Sequence, residues 1–223
     1  MSAATPKEHD DETALDPAAM LALAETQQSD VQRKLARYVP WILLSWGIAW
    51  GLGFTLLWLI DGAKPAFSVP VSVAASIFAA LMAAALVVSG VLGARSGRGI
   101  RTTPAAQFTG AVYGMTWTVG FVAIFVFGGA LVHNGMDPDL SNIYYPTATT
   151  LFVGIMYIIA GAIWRAVQAI AMGGWIVLVA LIAPFFGYPN HYLFFAIAGG
   201  GVFLVGAVVV AFYAKAVRLK GLN

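Results

Sequence analysis

The sequence predicts an all-α fold, a polytopic transmembrane bundle of six helices with both termini in the cytoplasm. Three observations predict it. Of the 223 residues 60% are hydrophobic and only 10% are charged, and mean hydropathy is +0.82, well outside the range of soluble globular domains. Six long apolar runs divide the chain, each near the roughly 20 residues that a hydrocarbon core of about 30 Å requires. Ten of the twelve Lys and Arg residues fall on one side of that six-pass layout, against Lys64 alone in a loop on the other. That asymmetry is the positive-inside signature.

Residues 1–16 hold Glu8, Asp10, Asp11, Glu12 and Asp16 with almost no bulky apolar side chain. They cannot bury enough surface to offset the entropy of ordering, and read as a disordered acidic tail. The stretch lacks the basic start and apolar core of a signal peptide, so the N-terminus is expected to be retained. Residues 17–38 read as a cytoplasmic amphipathic helix. Asp16 is a candidate N-cap and Pro17 takes the first helical position. Met20, Ala24, Gln27, Val31 and Leu35 recur at helical spacing, and Arg33, Lys34 and Arg37 crowd the end. Such a helix either lies along the lipid surface or extends the first crossing into solvent.

The six crossings are placed at residues 39–60, 69–92, 108–132, 147–164, 167–186 and 192–212, within a transmembrane domain of residues 39–214 and ahead of a basic tail of residues 215–223. The fourth and fifth are nearly continuous. As one helix, Thr147 to Phe186 would run about 60 Å, twice the core thickness, so the chain must turn back, and Arg165 marks the turn. Arg37 precedes the first crossing, and Arg95, Arg98 and Arg101 separate the second from the third. Arg165, then Lys215, Arg218 and Lys220, complete the topology-setting set. The opposite loops carry Asp61, Lys64, His133, Asp137, Asp139 and His191, while Trp41, Trp58 and Trp164 stand where an interfacial aromatic belt would.

An internal echo links two crossings. Trp46, Gly47, Trp50, Gly53 and Phe54 occupy the same offsets as Tyr113, Gly114, Trp117, Gly120 and Phe121. Both copies run in the same direction, so the unit would be a helical hairpin in parallel repeat. A weaker match sets Ser89-Gly90 before Arg95 against Ala160-Gly161 before Arg165. Gly47 with Gly51, Ala49 with Gly53, and their counterparts Gly114 and Gly120 are the candidate helix-packing positions, because small residues let backbones approach where lipid offers no competing gain. Gly199, Gly200 and Gly201 mark a site where the sixth crossing could break, with Pro184 as a kink beside it. Together with Trp46, Trp50 and Trp117 these three glycines are the candidate ligand-lining residues.

No Asp, Glu, Lys or Arg lies inside an expected crossing, which disfavours an autonomous proton-coupled mechanism. Ser45, Thr116 and Thr118 offer hydroxyls for sodium coordination, although membrane hydroxyls more often bond their own backbone. With no Cys there are no disulfides, thiolate metal sites or cysteine nucleophiles. The basic residues gather at helix ends rather than along a groove, so nucleic acid is not an expected partner. No GxSxG elbow or HExxH helix occurs, and neither an enzyme activity nor a cofactor is expected. His133, Asp137 and Asp139, joined by His191, are of a type to hold a divalent metal, but helix-capping Asp residues in a polar loop explain them equally.

The segments Asp16–Gln28, Val88–Gly99 and Tyr113–Phe121 resemble small multipass membrane proteins of actinobacteria, themselves uncharacterised and sometimes labelled transporters. The resemblance implies a bacterial plasma-membrane location and transfers no functional residue. In size and pass number the chain also resembles the six-helix substrate-binding subunits of vitamin importers. The functional expectation is a small transport-related component, a permease or a substrate-capturing subunit, embedded in the lipid bilayer and docking on a membrane partner through the glycine seam of its first helix. Its apolar, aromatic faces suit a neutral or hydrophobic ligand. The alternative is a membrane anchor or sensor that recruits a cytoplasmic regulator through residues 17–37.

Overall fold

The computed structural model describes Asp16, Met20 and residues 37–97 and 103–220, with side chains as far as Phe212. The acidic tail, most of the expected amphipathic helix, and Arg33, Lys34, Arg98 and Arg101 lie outside the described residues. Met20 donates its amide to the Asp16 carbonyl at 3.0 Å, one helical turn, where the sequence places that helix's start.

The described residues contain six helices long and apolar enough to cross a membrane. The protein is therefore a multipass integral membrane protein. Its elements are α1 (Val39–Trp58), α2 (Val71–Ser96), α3 (Pro104–His133), α4 (Pro138–Ile163) and α5 (Val167–Ile182), the last continued by a 3-10 turn (Ala183–Phe186). The sixth crossing is composite: α6 (Asn190–Phe194), a π-helical segment (Phe195–Gly199) and α7 (Gly200–Lys220).

Capping chemistry sets the starts. Thr103 caps α3, its hydroxyl accepting from Ala106 N at 3.2 Å, and Pro104 follows at a position where no amide is needed. Asp137 caps α4 by accepting from Asp139 N at 2.8 Å, with Pro138 next. That cap starts α4 nine residues before the Thr147 start expected from hydropathy, and Pro146, inside the helix, does not end it. At the other end α4 stops at Ile163, and the chain reverses at Arg165 with φ 53. The turn falls where the sequence requires one. Pro184 closes the fifth crossing rather than kinking it, because α5 gives way to the 3-10 turn at Ala183.

The helices pack in a row: α2 on α1, α1 on the sixth crossing, the sixth crossing on α5, α5 on α4, and α4 on α3. Glycine seams hold the interior. A Cβ on Gly200 would meet Gly51 N at 2.8 Å, and one on Gly47 would meet Leu204 N at 3.1 Å, so α1 and α7 touch backbone to backbone. Between α4 and α5, a Cβ on Gly173 would meet Gly154 O at 2.6 Å, and one on Gly161 would meet Ile170 N at 2.8 Å. The core between α1, α5 and the sixth crossing is aromatic, built on Trp50, Phe54, Tyr192, Phe195 and Phe203.

The two echoed hairpins are each closed by an aromatic donor and a ring from the second helix. Trp46 Nε1 donates to Ser89 Oγ at 2.9 Å, and Tyr113 donates its hydroxyl to Met156 O at 3.2 Å, each acceptor 43 residues on. Phe78 of α2 lies over Gly53 and Phe54, and Phe152 of α4 over Gly120 and Phe121, with ring separations of 5.3 and 5.4 Å.

Candidate functional site

The most irregular backbone within the bundle lies where α5, the Gly187 turn and the sixth crossing meet the end of α1. Pro184 supplies no amide, and Gly187, at φ 66, reverses the chain in a conformation that a side chain would strain. α6 then enters the bundle, and after one turn the backbone widens to π geometry, Gly200 N reaching back to Phe195 O. Phe195 and Phe203 are fully buried. Trp50 packs edge-on to Phe203 at 5.2 Å, and its ring lies so close to Gly199 that a Cβ there would meet it at 2.8 Å. From the other side Trp175 Nε1 donates to Ala198 O at 3.0 Å. One π-segment carbonyl is thus answered by a side chain, and two tryptophans bracket the segment.

His191 sits above it and is fully buried. Its Nε2 lies 3.0 Å from Asn142 O on α4, and its Nδ1 lies 3.2 Å from Gly187 O. The Asn142 contact has a local cause. In an uninterrupted helix the amide of residue 146 would donate to the carbonyl of residue 142, but Pro146 has no amide. A proton on His191 Nε2, the ring nitrogen nearer to a carbonyl, would supply that missing donor and tie α6 to α4. The imidazole also packs against the Tyr192 ring at a tilt of 36°, with centroids 4.0 Å apart.

A polar cluster covers this end of the bundle. Tyr188 donates its hydroxyl to Asp61 Oδ2, Lys64 pairs with Asp61 Oδ1, and Trp58 Nε1 donates to Asn190 Oδ1 at 3.3 Å. The Lys64 ammonium, then the Tyr188 hydroxyl, hold the Asp61 carboxyl below its ordinary 3.8. Burial, followed by the hydrogen bond to Asp61, pushes the Tyr188 phenol above its usual 10. The loop after α1 is closed by Val69 N donating to Leu59 O at 3.0 Å and by Ser68 Oγ donating to Ile60 O at 2.7 Å.

The candidate residues from the sequence fall into three groups. Trp50, Gly199 and Gly200 converge on the π segment, whereas Gly201 has open space beside it. Trp46 is engaged with Ser89 on α2, and Trp117 packs against Tyr113, Phe121 and Phe152 within the α3–α4 hairpin. Among the packing candidates, Gly47, Gly53 and Gly120 face close neighbours and Ala49 is buried, but nothing in this chain lies within 4 Å of a Cβ on Gly51 or on Gly114, and Gly51 enters the seam only as the backbone that Gly200 approaches. Arg95 and Arg165 stand at the same end of the row as Arg37, and Lys215, Arg218 and Lys220 lie in the last turns of α7.

The metal candidate does not assemble: no group of three His, Asp or Glu able to hold a metal ion exists among the described residues. Asp137 caps α4, and His191 is spent on Asn142. Ser45 and Thr116 turn back on Ile42 O and Val112 O, at 2.8 Å each, as hydroxyls in membrane helices do. The sequence reading missed His191, Tyr188 and Asp61 as a structural group. Pro146, a mid-helix proline that strands a carbonyl, was the available signal for the first.

Comparison with known proteins adds no relative: no protein-family model, no curated protein and no solved structure matches the chain.

Proposed function

We propose that this integral membrane protein is a small transport-related component, not an enzyme, in which a neutral or hydrophobic ligand engages the sixth crossing where Trp50 meets Phe195–Gly199. The observation that carries the reading is the π-helical segment bracketed by Trp50 and Trp175 within an aromatic core. π-Helical turns inside helices recur at functional sites, and membrane transporters place substrates where a crossing departs from regular helix. Irregular backbone at membrane depth is tolerated only where protein or a cavity surrounds it, and here the surroundings are rings, which suit an apolar ligand rather than a charged one. Away from their end turns the crossings hold no Asp, Glu, Lys or Arg, which points the same way.

The test is extraction and mass spectrometry of small molecules retained by the purified protein and by Trp175→Phe. That substitution keeps a ring at a half-exposed position and removes the donor to Ala198 O. A neutral or apolar molecule retained by the wild type and depleted about five- to tenfold by the substitution is the expected result. Retention of no molecule, or equal retention by both proteins, would overturn the placement.

A further inference from the structure

A second feature lies at the opposite end of the bundle. Near the arginine end α1 and α2 separate to leave a groove of about 730 Å³, open to the bundle's outer surface and walled by Trp41, Leu44, Ile48, Val87, Val88 and Val91. The packing explains the gap. Towards the Asp61 end Gly53 admits Phe78 and Met82 between the helices, whereas near the arginine end the facing residues are short valines. Arg37 lines the mouth, its guanidinium 5.7 Å from the Tyr38 ring. Val88, Leu92 and Arg95 recur at four- and three-residue spacing, so Arg95 stands one turn beyond the groove wall on the same face of α2. Neither arginine is in an ion pair among the described residues. Trp41, 62% exposed, flanks the apolar wall at the depth of the two cations.

This arrangement has two chemistries in a fixed order along the bundle axis: an apolar trough at membrane depth, then two cations at the interface with no ion pair among the described residues. We propose that the groove is a binding site for one anionic phospholipid, an acyl chain lying between α1 and α2 and the headgroup phosphate held by Arg37 and Arg95. Guanidinium groups bind phosphate oxygens bidentately, and each cation near a bilayer surface favours anionic over neutral lipid severalfold. The positive-inside rule assigns this end to the cytoplasmic leaflet. The site is separate from the sixth crossing and does not rest on the ligand reading above.

The experiment is native mass spectrometry of the delipidated full chain titrated with dioleoyl phosphatidylglycerol or dioleoyl phosphatidylcholine. One phosphatidylglycerol adduct is expected to persist at activation energies that strip phosphatidylcholine. Arg37→Gln with Arg95→Gln should lower that preference about tenfold or more. Val91→Trp, which fills the trough at a half-exposed position, should remove the adduct with both arginines intact, while Val126→Trp on the exposed face of α3 should not. Equal retention of the two lipids, or a phosphatidylglycerol preference that survives either the double arginine substitution or Val91→Trp, would overturn the proposal. Displacement of the adduct by millimolar inorganic phosphate would equally overturn it, since a headgroup held without its chains is a phosphate site and not a lipid site.

Discussion

The link between His191 and Asn142 predicts an unusual rescue. His191→Phe keeps the ring volume and the contact with Tyr192 but removes the donor that lies 3.0 Å from Asn142 O. The Asn142 carbonyl then loses the partner that the fully buried His191 ring supplied. An unmade hydrogen bond of this kind costs about 1–3 kcal/mol in water-soluble proteins, and interhelical bonds in membranes average about 0.6 with a maximum near 1.7 kcal/mol. The full burial of the His191 ring places the loss in the upper part of the membrane range, about 1–2 kcal/mol. Pro146→Ala restores an amide that helix geometry aims at the same carbonyl. In the wild type that amide is nearly redundant; in His191→Phe it replaces what was lost. Both effects are read from reversible unfolding in mixed micelles of rising SDS fraction, followed by tryptophan fluorescence. The double-mutant cycle should show a favourable coupling of about 1 kcal/mol or more, over and above the propensity gained by removing a proline. Should His191→Phe not fold, His191→Gln, which keeps a donor, is expected to fall between it and the wild type. Additivity within about 0.5 kcal/mol would refute the assignment of His191 as the substitute for the missing amide.

Two further outcomes follow. Gly200→Ala drives a Cβ towards Gly51 N and should destabilise the bundle by about 1–3 kcal/mol in the same unfolding assay, whereas Gly114→Ala, with open space around it, should be neutral or stabilising by up to about 1 kcal/mol. Asp61 has its folded pKa below 3.8, so the stability it contributes is present above the unfolded value and is lost as pH falls through the lower folded value. Asp61→Asn should accordingly differ from the wild type at pH 6 and converge with it as pH drops below about 3.8, a convergence checked by thermal unfolding across that range.

The number of crossings was legible because each apolar run approaches the bilayer thickness, and the turn at Arg165 because a single helix there would be twice too long. The start of α4 was not legible from hydropathy. Asp139, Ser141 and Asn142 are polar, and Pro146 reads as a breaker, yet Asp137-Pro138 is a cap followed by a first-turn proline and sets the boundary. Fully buried His191 looked like a loop residue because nothing local marks burial, and its partner stands 49 residues away. Glycines divided for a similar reason. Gly47 and Gly114 hold the same place in the echoed pattern, but what lies opposite them is set by the sixth crossing, which covers α1 and not α3.

Across the row, the seams between neighbours are of two kinds. At α1–α7 and α4–α5 glycines bring backbones together, and a Cβ on Gly47, Gly200, Gly154, Gly161 or Gly173 would meet a main-chain atom. At α1–α2, α3–α4 and α5 with the sixth crossing, aromatic donors reach across instead: Trp46 to Ser89, Tyr113 to Met156 O, Tyr144 to Ile124 O and Trp175 to Ala198 O. The difference follows from the solvent. Lipid competes poorly with close backbone packing, so the glycine seams fix the interior. Where backbones stand farther apart, a ring with one polar atom can fill the gap with apolar surface and still satisfy its donor. The two outermost helices, α2 and α3, are attached through aromatic seams alone and expose most of their length. A lipid or membrane partner that adds surface to this bundle therefore meets side chains there, and the phospholipid groove lies at one of those seams, where the valines of α2 leave the ring-filled contact incomplete.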